Sequence, residues 1–154
     1  MHLETVMRPP AVISGSRVLL VDESPDSLAH LYALLRSLGC EVWASVSYAE
    51  GVKCLEARRW DFVLVSQGTC AFEGRCVLER AMEIDRYIPV VVFTRWHHIP
   101  CYLTAMHLGA VDYLEEPLTL RELARVLETH LPPRTGRRKS AQRSSVNTPE
   151  YARL

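Results

Sequence analysis

The chain predicts an α/β fold in which a parallel sheet carries helices on both faces, and three observations lead there. Short apolar runs at Val18–Val21, Phe62–Val65 and Pro89–Thr94 are uninterrupted, as suits strands covered on both sides. Segments with apolar residues at helical spacing lie between the runs. Strand and helix patterns alternate as five βα units of about 20–25 residues, which calls for parallel strands joined by right-handed crossovers.

Each element follows from local chemistry. After Val18–Val21, Ser24 is the expected N-cap and Pro25 the first helical residue; Leu28, Leu31, Leu34, Leu35 and Leu38 then recur on one face until Gly39 stops the helix. Glu41–Ala44 reads as a second strand, and Ser47 opens a shorter helix with Ala49, Val52 and Leu55 on one face. Phe62–Val65 is followed by a helix from Gly74 to Arg86 through Val77, Leu78, Ala81 and Ile84. Pro89–Thr94 leads to a helix over His97–Leu108 ended by Gly109. Val111–Leu114 and a helix capped by Thr119, built on Leu120, Leu123, Leu127 and Leu131, close the series.

Among 154 residues, 48% are apolar, which is enough for one core without disulfides or metal. Residues 1–15 contain a Pro pair and read as a flexible leader, with order starting at about Arg17; 16–131 form the domain; 132–154 read as a disordered tail. Charge divides the same way, with 12 Lys and Arg against 17 Asp and Glu up to residue 131 and 6 against 1 beyond it. The five cysteines (Cys40, Cys54, Cys70, Cys76, Cys101) are odd in number and show no C-x-x-C, so neither a disulfide framework nor a zinc site is signalled and a reducing cytoplasm fits. No apolar run reaches the ~18 residues of a membrane helix, and no export signal opens the chain.

In such sheets the working crevice lies beyond the carboxyl ends of the strands. Asp22 and Glu23 follow strand 1, Ser66 ends strand 3, Thr94 ends strand 4 and Glu116 follows strand 5, so five polar residues are expected to share one crevice.

VLLVDES (Val18–Ser24), DFVLVS with Gly74 eight residues past Ser66, PVVVFT (Pro89–Thr94) and GAVDYLEEP (Gly109–Pro117) occur in order. Together they resemble the receiver domain of two-component response regulators over about Ser16–Leu131. The resemblance implies a flavodoxin-like fold with strand order 2-1-3-4-5 and a cis Glu116–Pro117 bond. It also implies an acidic pair holding Mg²⁺, matched by Asp22 and Glu23, a phosphate-bonding hydroxyl, matched by Thr94, and a switch aromatic, matched by Tyr113. Two positions depart: Ser66 stands where the family has its phosphate-accepting Asp, and Glu116 stands where it has Lys. The loop after the acceptor reads Thr69-Cys70 in place of the usual Met-Pro. A carboxylate beside a metal is already a nucleophile, whereas a serine hydroxyl needs a base; a phosphorylated product also needs a cation where Glu116 would repel it. The family's phosphotransfer is therefore expected to be absent.

Other features have a functional and a plainer reading. Asp22, Glu23 and Glu116 could form a residual divalent-metal site or a proton-sensitive switch, but neutralisation by a nearby Arg or water is the simpler expectation. Within that trio Asp22 and Glu23 are the metal candidates, and no cofactor is expected beyond a residual Mg²⁺. Ser66 lacks the G-x-S-x-G setting of a nucleophile, and no catalytic residue is assigned. His97 and His98 read as solvated or capping groups, and Cys70 with Cys76 as small apolar residues before a redox pair. Trp96 and Tyr113 mark a partner surface or ordinary edge packing.

The resulting expectation is a phosphorylation-independent receiver-like module acting through protein contacts and not an enzyme. The resemblance implies a histidine kinase or output protein as partner, or a homodimer through helix 4, strand 5 and helix 5. One alternative is a nucleic-acid-associated regulator using Arg134, Arg137, Arg138, Lys139 and Arg143 of the tail; another is the receiver part of a longer response regulator.

Overall fold

The computed structural model describes residues 12–132. Five strands, β1 (Arg17–Val21), β2 (Glu41–Ser45), β3 (Phe62–Ser66), β4 (Val90–Thr94) and β5 (Asp112–Glu115), alternate with α1 (Pro25–Ser37), α2 (Tyr48–Ala57), α3 (Arg75–Ile84), α4 (Ile99–His107) and α5 (Leu120–His130). All pairings are parallel and the order is β2-β1-β3-β4-β5. The expected flavodoxin-like topology is therefore the observed one, and the Glu116–Pro117 bond is cis.

Residues of opposite parity along β1, β3 and β4 feed two cores. Leu19, Val21, Val63, Val65, Val90 and Val92 pack with Leu55, Val77, Leu78, Ala81 and Ala105 of α2, α3 and α4. Val18, Leu20, Phe62, Leu64, Val91 and Phe93 pack with Leu31, Leu35, Leu123 and Leu127 of α1 and α5. Because both faces are covered, every residue of β3 and β4 is buried, and this explains the unbroken apolar runs.

The caps behave as the sequence suggests. Ser24, Ser47 and Thr119 accept from the backbone N–H groups of Ser27, Glu50 and Glu122, and Glu122 completes a capping box with Thr119. Several faces differ from expectation. In α2 Tyr48 is buried with Gly51 and Leu55, and Ala49 is exposed. A Cβ on Gly51 would lie 2.8 Å from Val21 Cγ2, so this turn rests directly on β1 and turns Tyr48 inward. Helix α3 stops at Ile84, which is exposed, and Leu120 is exposed at the start of α5. Helix α4 begins two residues later than expected because His98 is its N-cap and Pro100 fits its first turn.

The expected leader reaches the described residues only at 12–15. There Ile13 is fully buried in the α1–α5 core and Gly15 N–H bonds Gly39 O at 2.8 Å, so packing begins before Arg17. The basic tail lies outside the described residues, apart from Pro132. Among the described residues no helix is long and apolar enough to cross a membrane.

Candidate functional site

The carboxyl ends of β1, β3, β4 and β5 bring the five expected residues to one edge of the sheet, where four of them fall into two groups and Thr94 turns to its own loop. In the first, Asp22 is buried and Glu23 exposed, and Ser66 Oγ accepts from Gly68 N–H at 3.2 Å. Gly74 allows this corner: its N–H bonds Gln67 O at 3.1 Å, and a Cβ there would lie 1.9 Å from Ser66 O. Tyr48 closes the group from α2. Its hydroxyl lies beside Ser66 and is eased toward ionisation by it, yet it makes no hydrogen bond of good geometry and is shut off from solvent. Burial, followed by the charges of Glu23, Asp22 and Glu73, pushes its pKa up to about 12.

The second group surrounds Glu116. The Ser27 hydroxyl donates to Glu116 Oε2, and Arg95 Nε lies 3.7 Å from Glu116 Oε1. Arg95 Nη2 also donates to Ser24 Oγ at 2.6 Å, and Ser24 N–H donates to Asp22 Oδ1 at 3.1 Å, which links the groups. Of the three carboxylates expected to crowd the crevice, Glu116 is the one that Arg95 pairs with.

Thr94 is buried and its hydroxyl is turned to its own loop, donating to Trp96 O at 2.9 Å and accepting from Trp96 N–H at 3.1 Å. Tyr113 is buried as well. Its hydroxyl donates to Gln67 Oε1 and accepts from His98 N–H at 3.3 Å, while its ring meets those of His97 and Tyr102 edge-on. Burial is the main cause that raises its pKa. Trp96, by contrast, is 74% exposed. Cys76 Sγ donates to Glu73 O at 3.5 Å, and Cys101 Sγ donates to the main-chain carbonyl of Cys70, also at 3.5 Å.

The sequence matches the family model of the response regulator receiver domain over residues 18–128. The chain belongs to the response regulator receiver family. Among curated relatives, the transcriptional regulatory protein PrrA of Mycobacterium tuberculosis is 31% identical over 111 residues, which are 72% of this chain and 48% of that protein. The sensor protein GacS of Pseudomonas syringae is 31% identical over 124 residues, 77% of this chain and 14% of that protein. The receiver thus spans about half or less of the length of these relatives. Among solved structures, a CheY-like receiver from Methanospirillum hungatei superposes with TM-score 0.70 at 22% identity, covering 75% of this chain and 93% of that one. A receiver of a Pseudomonas aeruginosa sensor histidine kinase, determined with magnesium in its active-site cleft, superposes with TM-score 0.68 at 25% identity, covering 76% and 98%.

The Mg²⁺ implied by the resemblance does not fit the donors of this receiver. Ser66 supplies a neutral hydroxyl where the resemblance implies a carboxylate, and among the described residues no three His, Cys, Asp or Glu side chains are grouped to hold a metal. Mg²⁺ demands a near-octahedral oxygen set.

Four residues of the site escape sequence reasoning: Ser27, Tyr48, Gln67 and Arg95. Ser27 and Tyr48 look like ordinary helix positions. Gln67 and Arg95 directly follow Ser66 and Thr94, so adjacency to a strand end was the available signal.

Proposed function

We propose that this receiver signals by protein–protein contact without forming an aspartyl phosphate and has no enzymatic activity of its own. The observation that carries the reading is the state of Glu116. It stands where the family resemblance implies a lysine, and it is bonded by Ser27 and paired with Arg95. The crevice's own cation therefore faces a carboxylate and is not free to receive a phosphoryl group. Ser66 supports the same conclusion, since among the described residues no histidine or carboxylate hydrogen-bonds its hydroxyl to activate it.

The contact surface in this reading is the α4–β5–α5 side. Ile99, Leu103 and Met106 recur at helical spacing on α4 and are exposed, as is Trp96 just before it. A histidine kinase or an output protein is the partner class, in keeping with relatives that are a transcriptional regulator and a sensor. A second copy of the chain is the alternative occupant. Incubation with acetyl phosphate and Mg²⁺ followed by intact-mass measurement is expected to leave the mass unchanged; stoichiometric phosphorylation would overturn the proposal.

A further inference from the structure

The loop after β3, the start of α3 and the first two turns of α4 line an open pocket of about 170 Å³ that includes Cys70, Phe72, Arg75, His98, Cys101 and Thr104. That is several times the ~30 Å³ share of a water in the liquid, so a small polar reagent has room. The crevice chemistry described above uses none of these side chains.

We propose that Cys70 and Cys101 are an oxidisable thiol pair, with His98 as its base, that a hydroperoxide converts to a disulfide tying the β3–α3 loop to α4. The two cysteines are 31 residues apart in sequence, but the Cys101 thiol donates to the main-chain carbonyl of Cys70 at 3.5 Å, and both residues line the pocket. His98 Nδ1 lies 3.1 Å from Cys101 Sγ and accepts from Cys101 N–H at 3.3 Å. Accepting the backbone N–H makes Nδ1 the unprotonated nitrogen of the ring, and the thiol approaches the same lone pair, so this nitrogen is the base within reach of the Cys101 sulfur.

Exposure divides the roles. Cys70 is exposed and meets the oxidant first, whereas Cys101 is 4% exposed and resolves the product. Burial raises the Cys101 pKa, with the nearby Cys70 thiol adding to it, which is why a base is needed at that sulfur. The deprotonated Cys70 sulfur attacks one peroxide oxygen; the O–O bond breaks, the sulfur becomes a sulfenic acid and the departing hydroxide takes up a proton as water. Cys101 then passes its proton to His98 Nδ1 and attacks the Cys70 sulfur. The S–S bond forms as the S–O bond breaks, and the leaving hydroxide takes the proton from His98. Two thiols and one hydroperoxide thus give one disulfide and two waters, or one water and an alcohol from an alkyl hydroperoxide.

The full chain, reduced and then exposed to hydrogen peroxide, is blocked, digested and read by mass spectrometry without reductant. The expected product is an intramolecular peptide pair joining Cys70 to Cys101, present in Cys76→Ser and missing in Cys70→Ser and Cys101→Ala. In His98→Asn, which retains an N-capping side chain but loses the base, disulfide formation is expected to slow by about tenfold or more. Cys70 linked to Cys76 or to a second chain, or carried to sulfinic acid with Cys101 still reduced, would overturn the proposal. An unchanged rate in His98→Asn would overturn the role of His98.

Discussion

The Tyr113 hydroxyl donates to Gln67 Oε1, joining β5 to the residue that follows Ser66 at the end of β3. The same hydroxyl accepts from His98 N–H, so one buried phenol connects the ends of β3 and β5 to the cap of α4. With Gln67 only 1% exposed, neither partner has water to fall back on.

Gln67→Leu is therefore expected to lower stability by about 1–3 kcal/mol, the usual cost of orphaning a buried polar group. Urea unfolding of Gln67→Leu, Tyr113→Phe and the double variant should show a coupling of about 0.5–3 kcal/mol. Additive single effects would mean that the bond contributes nothing.

Tyr48 should leave an alkaline signature. Its folded-state pKa is raised from 10.0 to about 12, so the folded protein holds this proton more tightly than the unfolded chain. The associated stability is present below pH 10 and is lost as pH rises toward 12. Burial also raises the Tyr113 pKa, so ultraviolet titration should show late-ionising tyrosines, one fewer of them in Tyr48→Phe. Because the hydroxyl is buried without a partner, that variant is expected to match the parent in neutral solution or exceed it by about 1 kcal/mol. A large loss of stability would show that the hydroxyl has a partner after all.

At Gly74 the obstacle to a side chain is backbone. Gly74→Ala would drive a Cβ to within 1.9 Å of Ser66 O, and relief requires α3 to shift from β3. A loss of about 3 kcal/mol in chemical denaturation is expected. Retention of parental stability would imply that the corner yields easily.

Mg²⁺ titration should leave the melting temperature nearly unchanged, since Asp22, Glu23 and Ser66 do not supply the donor set the ion requires. Ser66→Asp is expected to bring a saturable rise, because it adds a carboxylate to Asp22 and Glu23. A saturable rise in the parent would contradict the reading of the site.

The α4 surface gives an opposite pattern. Leu103 is 58% exposed, and Leu103→Glu is expected to change folding stability by no more than about 0.5 kcal/mol. In sedimentation velocity the same change should weaken any self-association of the parent. If self-association persists undiminished, the contact lies elsewhere.

Much of the architecture was legible in the chain. Continuous apolar runs marked strands covered on both faces, and Ser24, Ser47 and Thr119 marked helix starts, because these signals depend on residues a few positions apart. Helix rotation was less legible. Tyr48 and Ala49 are both plausible core residues by local pattern, and only the contact of Gly51 with Val21 selects between them.

Sequence alone placed Ser66 and Glu116 at the strand ends that form the crevice, since the order of βα units determines which loops share an edge. Tertiary structure alone decided what each side chain meets there. Arg95 reaches Ser24 and Glu116, Gln67 takes the Tyr113 hydroxyl, and the Cys101 thiol reaches the main-chain carbonyl of Cys70. Those partners lie far apart in the chain, and their pairing depends on the distances and directions that packing sets, which no local pattern encodes.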